Sequence, residues 1–123
     1  SLKEVKYHLR HSSNWLIRLG GGTEESNTKV QDALEELWMY TGELFEMDNL
    51  DTELLNNGIA VDNSALKLEW DIMVNKTLVK AKLTRPEEAY MATGGKKGLH
   101  TECLGFILSE MQFLQRAYPD AKW

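Results

Sequence analysis

Glu4, His8, His11 and Trp15 recur at i, i+4, i+7 and i+11 near the start of the chain. At about 100° per residue, their side chains leave a helix within roughly 60° of one another. A carboxylate and an imidazole one turn apart can reach a single metal ion. They can equally form an ion pair with aromatic packing beside it. The ridge is open to both uses, and as a polar ridge beside leucines it could face the interior of a helical bundle. A di-iron centre in such a bundle asks for more, because its core is built on Glu-x-x-His pairs that put two donors on one helix face. No such pair occurs here: the residues three positions before His8, His11 and His100 are Val5, His8 and Lys97.

Two further groups could do chemistry. His100, Glu102 and Cys103 fall together where the pattern starts the last helix. His100 and Glu102 are two apart and so point about 200° from each other, a poor geometry for shared ligation. Glu102 suits the positive end of a helix on that ground alone. Cys103 reads as a small buried side chain, since nothing nearby would activate a thiolate. Glu4, His8 and Glu102 are the candidate remnants of a ligand ridge, without a full set of metal ligands among them. The loop Gly94-Gly95-Lys96-Lys97-Gly98 leads into that same helix. Free backbone N–H groups and two lysines could hold a partner's acidic surface or a phosphate such as that of coenzyme A, and a solvated turn fits as well. The glycine order and the missing Ser or Thr after the lysines exclude a Walker loop, and no Ser-His-Asp order, dinucleotide fingerprint or EF-hand loop occurs.

The elements that would position these residues are helices. Leu2, Val5, Leu9, Leu16 and Leu19 make one stripe of a helix over 2–19, which Gly20, Gly21 and Gly22 end. Thr23 is the N-cap of a second helix, with Glu24 and Glu25 in its positive first turn. Its stripe of Val30, Ala33, Leu34, Leu37, Trp38, Thr41, Leu44 and Phe45 carries it to about Phe45. Periodicity weakens over 48–63, where Asp51 caps a short helix through Leu55 and Asn56-Asn57-Gly58 stops it. A third long helix opens at Ser64 or Asn63 and ends near Leu83, with Leu66, Trp70, Met73, Val74, Leu78 and Ala81 inward. Pro86 permits a short helix over 86–92. The last helix runs over 100–117, and Pro119 stops it. Trp15, Trp38 and Trp70 read as core, and Trp123 as a group docked on the body or on a partner. No segment has strand periodicity, so the fold class is all-α.

The chain has 123 residues, 42% of them hydrophobic and 27% charged, which fits one helical domain over 1–123. Its net charge of -5 argues against a general nucleic-acid binder. No apolar run approaches the roughly 18 residues of a membrane span. Ser1-Leu2-Lys3-Glu4 lacks the organisation of a secretion signal, and a single cysteine excludes an internal disulfide, so a cytoplasmic setting is expected.

Several strings are distinctive. Lys3-Glu4-Val5-Lys6-Tyr7-His8-Leu9-Arg10 and Thr93-Gly94-Gly95-Lys96-Lys97-Gly98-Leu99-His100-Thr101-Glu102 resemble the C subunits of bacterial phenylacetyl-CoA epoxidases. So do Leu104-Gly105, the run from Ser109 to Arg116, Gly58-Ile59-Ala60-Val61-Asp62, and Leu37-Trp38 with Glu43-Leu44-Phe45. The resemblance covers nearly the whole chain but only the C-terminal half of those subunits. It departs at Glu102-Cys103, where relatives often have Glu-His. It implies part of a ferritin-like bundle, about half of it, with long antiparallel helices and short connecting ones. It also implies a structural subunit without a cofactor of its own, paired with a catalytic di-iron subunit that epoxidises the ring of phenylacetyl-CoA with electrons from a reductase. Half a bundle leaves apolar stripes bare, so self-association through the first, second and last helices, or an exchange of elements into a dimer, is expected. Two other functions stay open. One is an iron-dependent oxygenase using Glu4, His8 and Glu102 with ligands from another chain. The other is a freestanding helical interaction domain.

Overall fold

The structure is a computed structural model and describes residues 1–87 and 90–122. It is all-helical, with no strand among the described residues. Two compact units divide it, Ser1–Ala92 and Thr93–Trp123.

In the first unit, α1 (Leu2–Gly20) packs on α2 (Glu24–Trp38) and on α4 (Lys67–Ala81). Gly20 sets the closeness of the second contact. A Cβ there would fall on the Ala81 carbonyl oxygen and come within 3.1 Å of both Ala81 Cβ and Leu83 Cγ. Thr23 caps α2 as its sequence predicts, its Oγ1 accepting the Ser26 N–H at 3.2 Å. The helix then stops at Trp38, short of the expected Phe45, and a 3-10 turn covers Thr41–Phe45. Two carbonyls that a longer helix would have used are taken elsewhere. Thr41 Oγ1 donates to the Trp38 carbonyl at 2.8 Å, and the Ala92 N–H donates to that of Met39 at 2.8 Å. Gly42 in this stretch lies against Met91.

The short helix α3 (Asn49–Asn56) starts earlier than expected because Asp48, not Asp51, is its cap. Asp51 completes a reciprocal capping box, its carboxylate accepting the Asp48 N–H at 2.9 Å. The stop at Asn56-Asn57-Gly58 is where the sequence puts it, with Gly58 at φ 68°. A 3-10 turn over Ser64–Leu66, with Asn63 at its N-cap position, leads into α4 as expected, and the side chain that holds its first N–H groups is that of Asp62. Asp62 Oδ1 accepts from the Ser64 N–H at 2.9 Å and its hydroxyl at 2.6 Å, which together draw the carboxyl below its ordinary value, the hydroxyl bond most of all. Lys82, at φ 56°, ends α4 in the left-handed region, and the Leu83 N–H closes on the Leu78 carbonyl at 3.0 Å.

The core of this unit is small. Trp38, Leu78, Ala81 and Leu83 are buried, with Leu16, Ile17, Val30, Leu34, Trp70, Val74 and Met91 packed around them. Side chains of α2 stitch the return segment in place. Asn27 Nδ2 donates to the carbonyls of Gly20 at 2.6 Å and Lys82 at 3.2 Å. Gln31 brackets Thr84, accepting its N–H at 2.9 Å and donating to its carbonyl at 3.0 Å. Part of the expected inward stripe stays in solvent: Leu2, Val5, Leu9, Leu19, Leu37, Leu44, Leu66 and Met73 are exposed. The expected short helix over 86–92 is absent at Pro86, Glu87 and 90–92, and its other residues, Glu88 and Ala89, lie outside the described residues, as does Trp123.

In the second unit a 3-10 turn, Gly95–Lys97, sits between Gly94 and Gly98, both left-handed at φ 90° and 87°. The expected single helix over 100–117 is two, α5 (Cys103–Met111) and α6 (Phe113–Ala117), parted at Gln112. The late start follows from the turn, which folds Leu99 back so that its N–H reaches the Gly94 carbonyl at 3.1 Å. Cys103 is exposed in the first turn of α5, not buried as expected, because α5 lies bare there. Phe106, Met111 and Phe113 are about two-thirds exposed.

Candidate functional site

Glu4 and His8 share one face of α1, with Oε2 and Nε2 4.0 Å apart and side chains 73% and 72% exposed. His11 stacks on Tyr7 at 5.9 Å between ring centroids and meets the edge of Trp15 at 6.4 Å. The guanidiniums of Arg10 and Arg18 lie over Tyr7 and Trp15, at 5.6 Å and 5.2 Å. The ridge is thus an exposed ladder of rings and cations, with the Glu4–His8 contact on its flank. It does not face the interior of the unit that contains it.

Glu102 is the N-cap residue of α5, and its side chain makes no capping bond. The Lys96–Lys97 turn uses three of its backbone donors within itself. The N–H groups of Lys97 and Leu99 both bond to the Gly94 carbonyl, and that of Gly98 to Gly95. Those three donors are therefore not part of the backbone cradle that the glycines suggest.

The most connected charged cluster is one the sequence did not point to. Arg85 donates from Nη2 to Asp71 Oδ1 at 2.7 Å and from Nη1 to Asn75 Oδ1 at 2.9 Å. Its guanidinium also covers Trp38 at 4.9 Å and Trp70 at 5.8 Å. Lys67 donates to the other Asp71 oxygen at 3.2 Å and lies 5.7 Å over Phe45. The Arg85 hydrogen bond, chiefly, holds the Asp71 carboxyl below its ordinary value, against the opposing pull of partial burial and with help from Lys67. A fork that binds a carboxylate and an amide while its flat face covers two indoles is a clamp on the fold. The buried indole N–H of Trp38 has no hydrogen-bond partner among the described residues, and nothing in the structure accounts for it. The Asp71–Asn75 pair at i, i+4 beside Trp70 was the available signal, but nothing local links it to Arg85.

The model of a family described as phenylacetic acid catabolic proteins matches residues 1–123. The chain belongs to this family. The C subunit of the 1,2-phenylacetyl-CoA epoxidase of Escherichia coli (strain K12) is 49% identical to it over all 123 residues. The match takes in 50% of that protein, so the chain spans about half the length of the curated relative. The all-helical structure accords with the ferritin-like fold of the phenylacetic acid catabolic family.

Ferritin-like folds are where di-iron centres are built, so the fit of this family member's residues to one can be judged. Such a centre draws carboxylates and imidazoles inward from four helices. Glu4 and His8 supply two donors on a solvent-facing turn of one helix. No group of three or more His, Cys, Asp or Glu side chains that could hold a metal forms among the described residues. Glu4 and His8 by themselves supply only two of the donors that such a centre needs. No helix among the described residues is long and apolar enough to cross a membrane.

Proposed function

We propose that the chain belongs to the non-catalytic structural subunit of a multicomponent phenylacetyl-CoA epoxidase, acting in the cytoplasm in aerobic phenylacetate breakdown. Its work is to hold the helical bundle of a separate catalytic di-iron subunit by helix packing. The observation that carries this is the 49% identity to the C subunit of the bacterial epoxidase over every residue of the chain. Two structural facts support it. The donor pair on α1 stands largely in water, with the edge of the Tyr7 ring beside His8 and little else to fix a ligand geometry. Apolar side chains are bare on α1, α4 and α5, among them Leu2, Ile72 and Phe106, which is the surface a packing subunit needs. The bare face of α5 also underlies self-association, since a helix apolar on nearly all sides is ordinarily covered.

The test is a pull-down with the catalytic subunit followed by an iron assay on each component. The two should co-purify, with iron in the catalytic subunit alone. Stoichiometric iron in this chain, lost on Glu4→Ala and His8→Ala, would replace the scaffold with an oxygenase. Failure to co-purify would leave a freestanding interaction domain.

A further inference from the structure

Of the asparagines in the chain, only Asn57 stands before a glycine. The backbone nitrogen that follows an asparagine can attack its carboxamide, and a glycine there puts no Cβ in the way. Asn57 and Gly58 are both exposed, and nothing lies within 4 Å of where a Cβ would stand on Gly58. The fold holds the pair in an unreactive pose. Asn57 ends α3, and its backbone N–H and its Nδ2 both donate to the Glu53 carbonyl, at 3.1 Å and 2.9 Å. The attacking nitrogen is occupied too, since the Gly58 N–H donates to the Leu55 carbonyl at 2.9 Å. With ψ at 3°, Asn57 sets that nitrogen over its own backbone nitrogen, away from its side chain.

What holds this pose is slight. The helix α3 has 8 residues and packs lightly on the rest of its unit. A helix that short is marginal in water, so its caps carry it. One cap is the Asp48–Asp51 box, and the other is the Asn57–Gly58 turn itself, which lies in solvent. Ends of this kind open far more often than the whole unit unfolds.

We infer that Asn57 is a deamidation site, unlocked when the last turn of α3 opens and self-reinforcing once used. In the opened turn the Gly58 nitrogen loses its proton to solvent and bonds to Asn57 Cγ. The Cγ–Nδ2 bond breaks, and Nδ2 leaves as ammonia with a proton regained from solvent. Water then opens the five-membered imide at either carbonyl, giving aspartate or, with one more methylene in the backbone, isoaspartate. Neither product can close the turn as before. A carboxylate now faces the Glu53 carbonyl where Nδ2 donated, at the negative end of the helix and one turn from the Glu53 side chain. Isoaspartate also carries the Gly58 N–H away from the Leu55 carbonyl.

The chain and a peptide of residues 49–63 are incubated side by side for days at mildly alkaline pH. Peptide mass mapping and enzymatic labelling of isoaspartate follow the products. In the folded chain Asn57 should convert at least about tenfold faster than any other asparagine, yet several-fold slower than in the peptide. That slowing should match the hydrogen-exchange protection of the Gly58 N–H within about threefold. Asp48→Ala, which loosens α3 from its far end, should speed conversion several-fold; if it loses helical circular dichroism, the exchange comparison decides instead. Asn57→Asp, the product without the reaction, should raise exchange several-fold at the Ile59 N–H, which donates to Leu54 across the same turn. Conversion as fast as in the peptide, spread evenly over the asparagines, or absent while the peptide converts overturns the site. Slowing that departs from the exchange protection, or no gain in a folded Asp48→Ala, overturns the gating by α3. Unchanged exchange at Ile59 overturns the self-reinforcement.

Discussion

Arg85 closes the first unit because a guanidinium offers a fork of donors and a flat apolar face at once. Lysine keeps the charge and loses both the fork and the stacking. Arg85→Lys should therefore cost about 1–2 kcal/mol in urea unfolding, the worth of two sheltered cation–π contacts. The carboxylate beneath it gives a pH signature. Asp71 titrates below its ordinary value of 3.8 in the folded chain, so the folded state favours the charged form. Its contribution is complete above that ordinary value and is lost as pH falls through the lower, folded one. Asp71→Asn should flatten the acid limb of the stability curve below about pH 4, and an unchanged limb would mean that other carboxylates set it. Trp38 and Trp70 were legible as core from helical period alone, whereas Trp15, read the same way, stands half in solvent. Arg85 was not, because it lies 14 residues from Asp71 and beyond the end of α4, where no periodicity links them. Glu4 and His8 were legible as sharing a face. Which way that face points is a matter of what packs on α1, and no spacing within α1 encodes it.

Among the elements, the α1–α4 contact rests on a missing side chain. Gly20→Ala would set a methyl group on the Ala81 carbonyl, and neither helix can withdraw without opening the core around Leu78 and Leu83. The expected loss is about 1–3 kcal/mol by thermal melt. Gly105→Ala in α5 is the control of opposite sign, since nothing lies within 4 Å of a Cβ there. It should stabilise by about 0.5–1 kcal/mol through helix propensity. The three long helices were readable from their stripes, and the glycine stop of α1 and the Thr23 cap from local chemistry. Helix ends set by long-range bonds were not readable. The end of α2 depends on Ala92 reaching Met39, across more than half of the unit. The sequence pointed to Asp51 as a cap and to Ser64 or Asn63 as a helix start, and the carboxylates that hold the first N–H groups are those of Asp48 and Asp62.

At the scale of the whole molecule, the chain buries few side chains fully and leaves many large apolar ones in water. A relative twice its length accords with a surface meant to be covered. All-helical class, family and the bareness of the stripes were visible in the sequence; the division into two compact units was not, because helical period says nothing of which helices share a core.

The bracket between Gln31 and Thr84 has a meaning in time as well as in space. Its partners are 53 residues apart, whereas α1 and α2 meet across a connection of three residues. Closing the short loop costs little entropy, so the α1–α2 hairpin can assemble first and receive α4 and its return segment last. A contact made after the transition state governs unfolding and not folding. Gln31→Ala, removing bonds worth about 1 kcal/mol, should speed unfolding roughly fivefold and leave the refolding rate almost unchanged. Slower refolding in stopped-flow would place the bracket early instead. The late bracket makes Gln31 a latch on the lifetime of the folded unit, with little say in how quickly that unit forms.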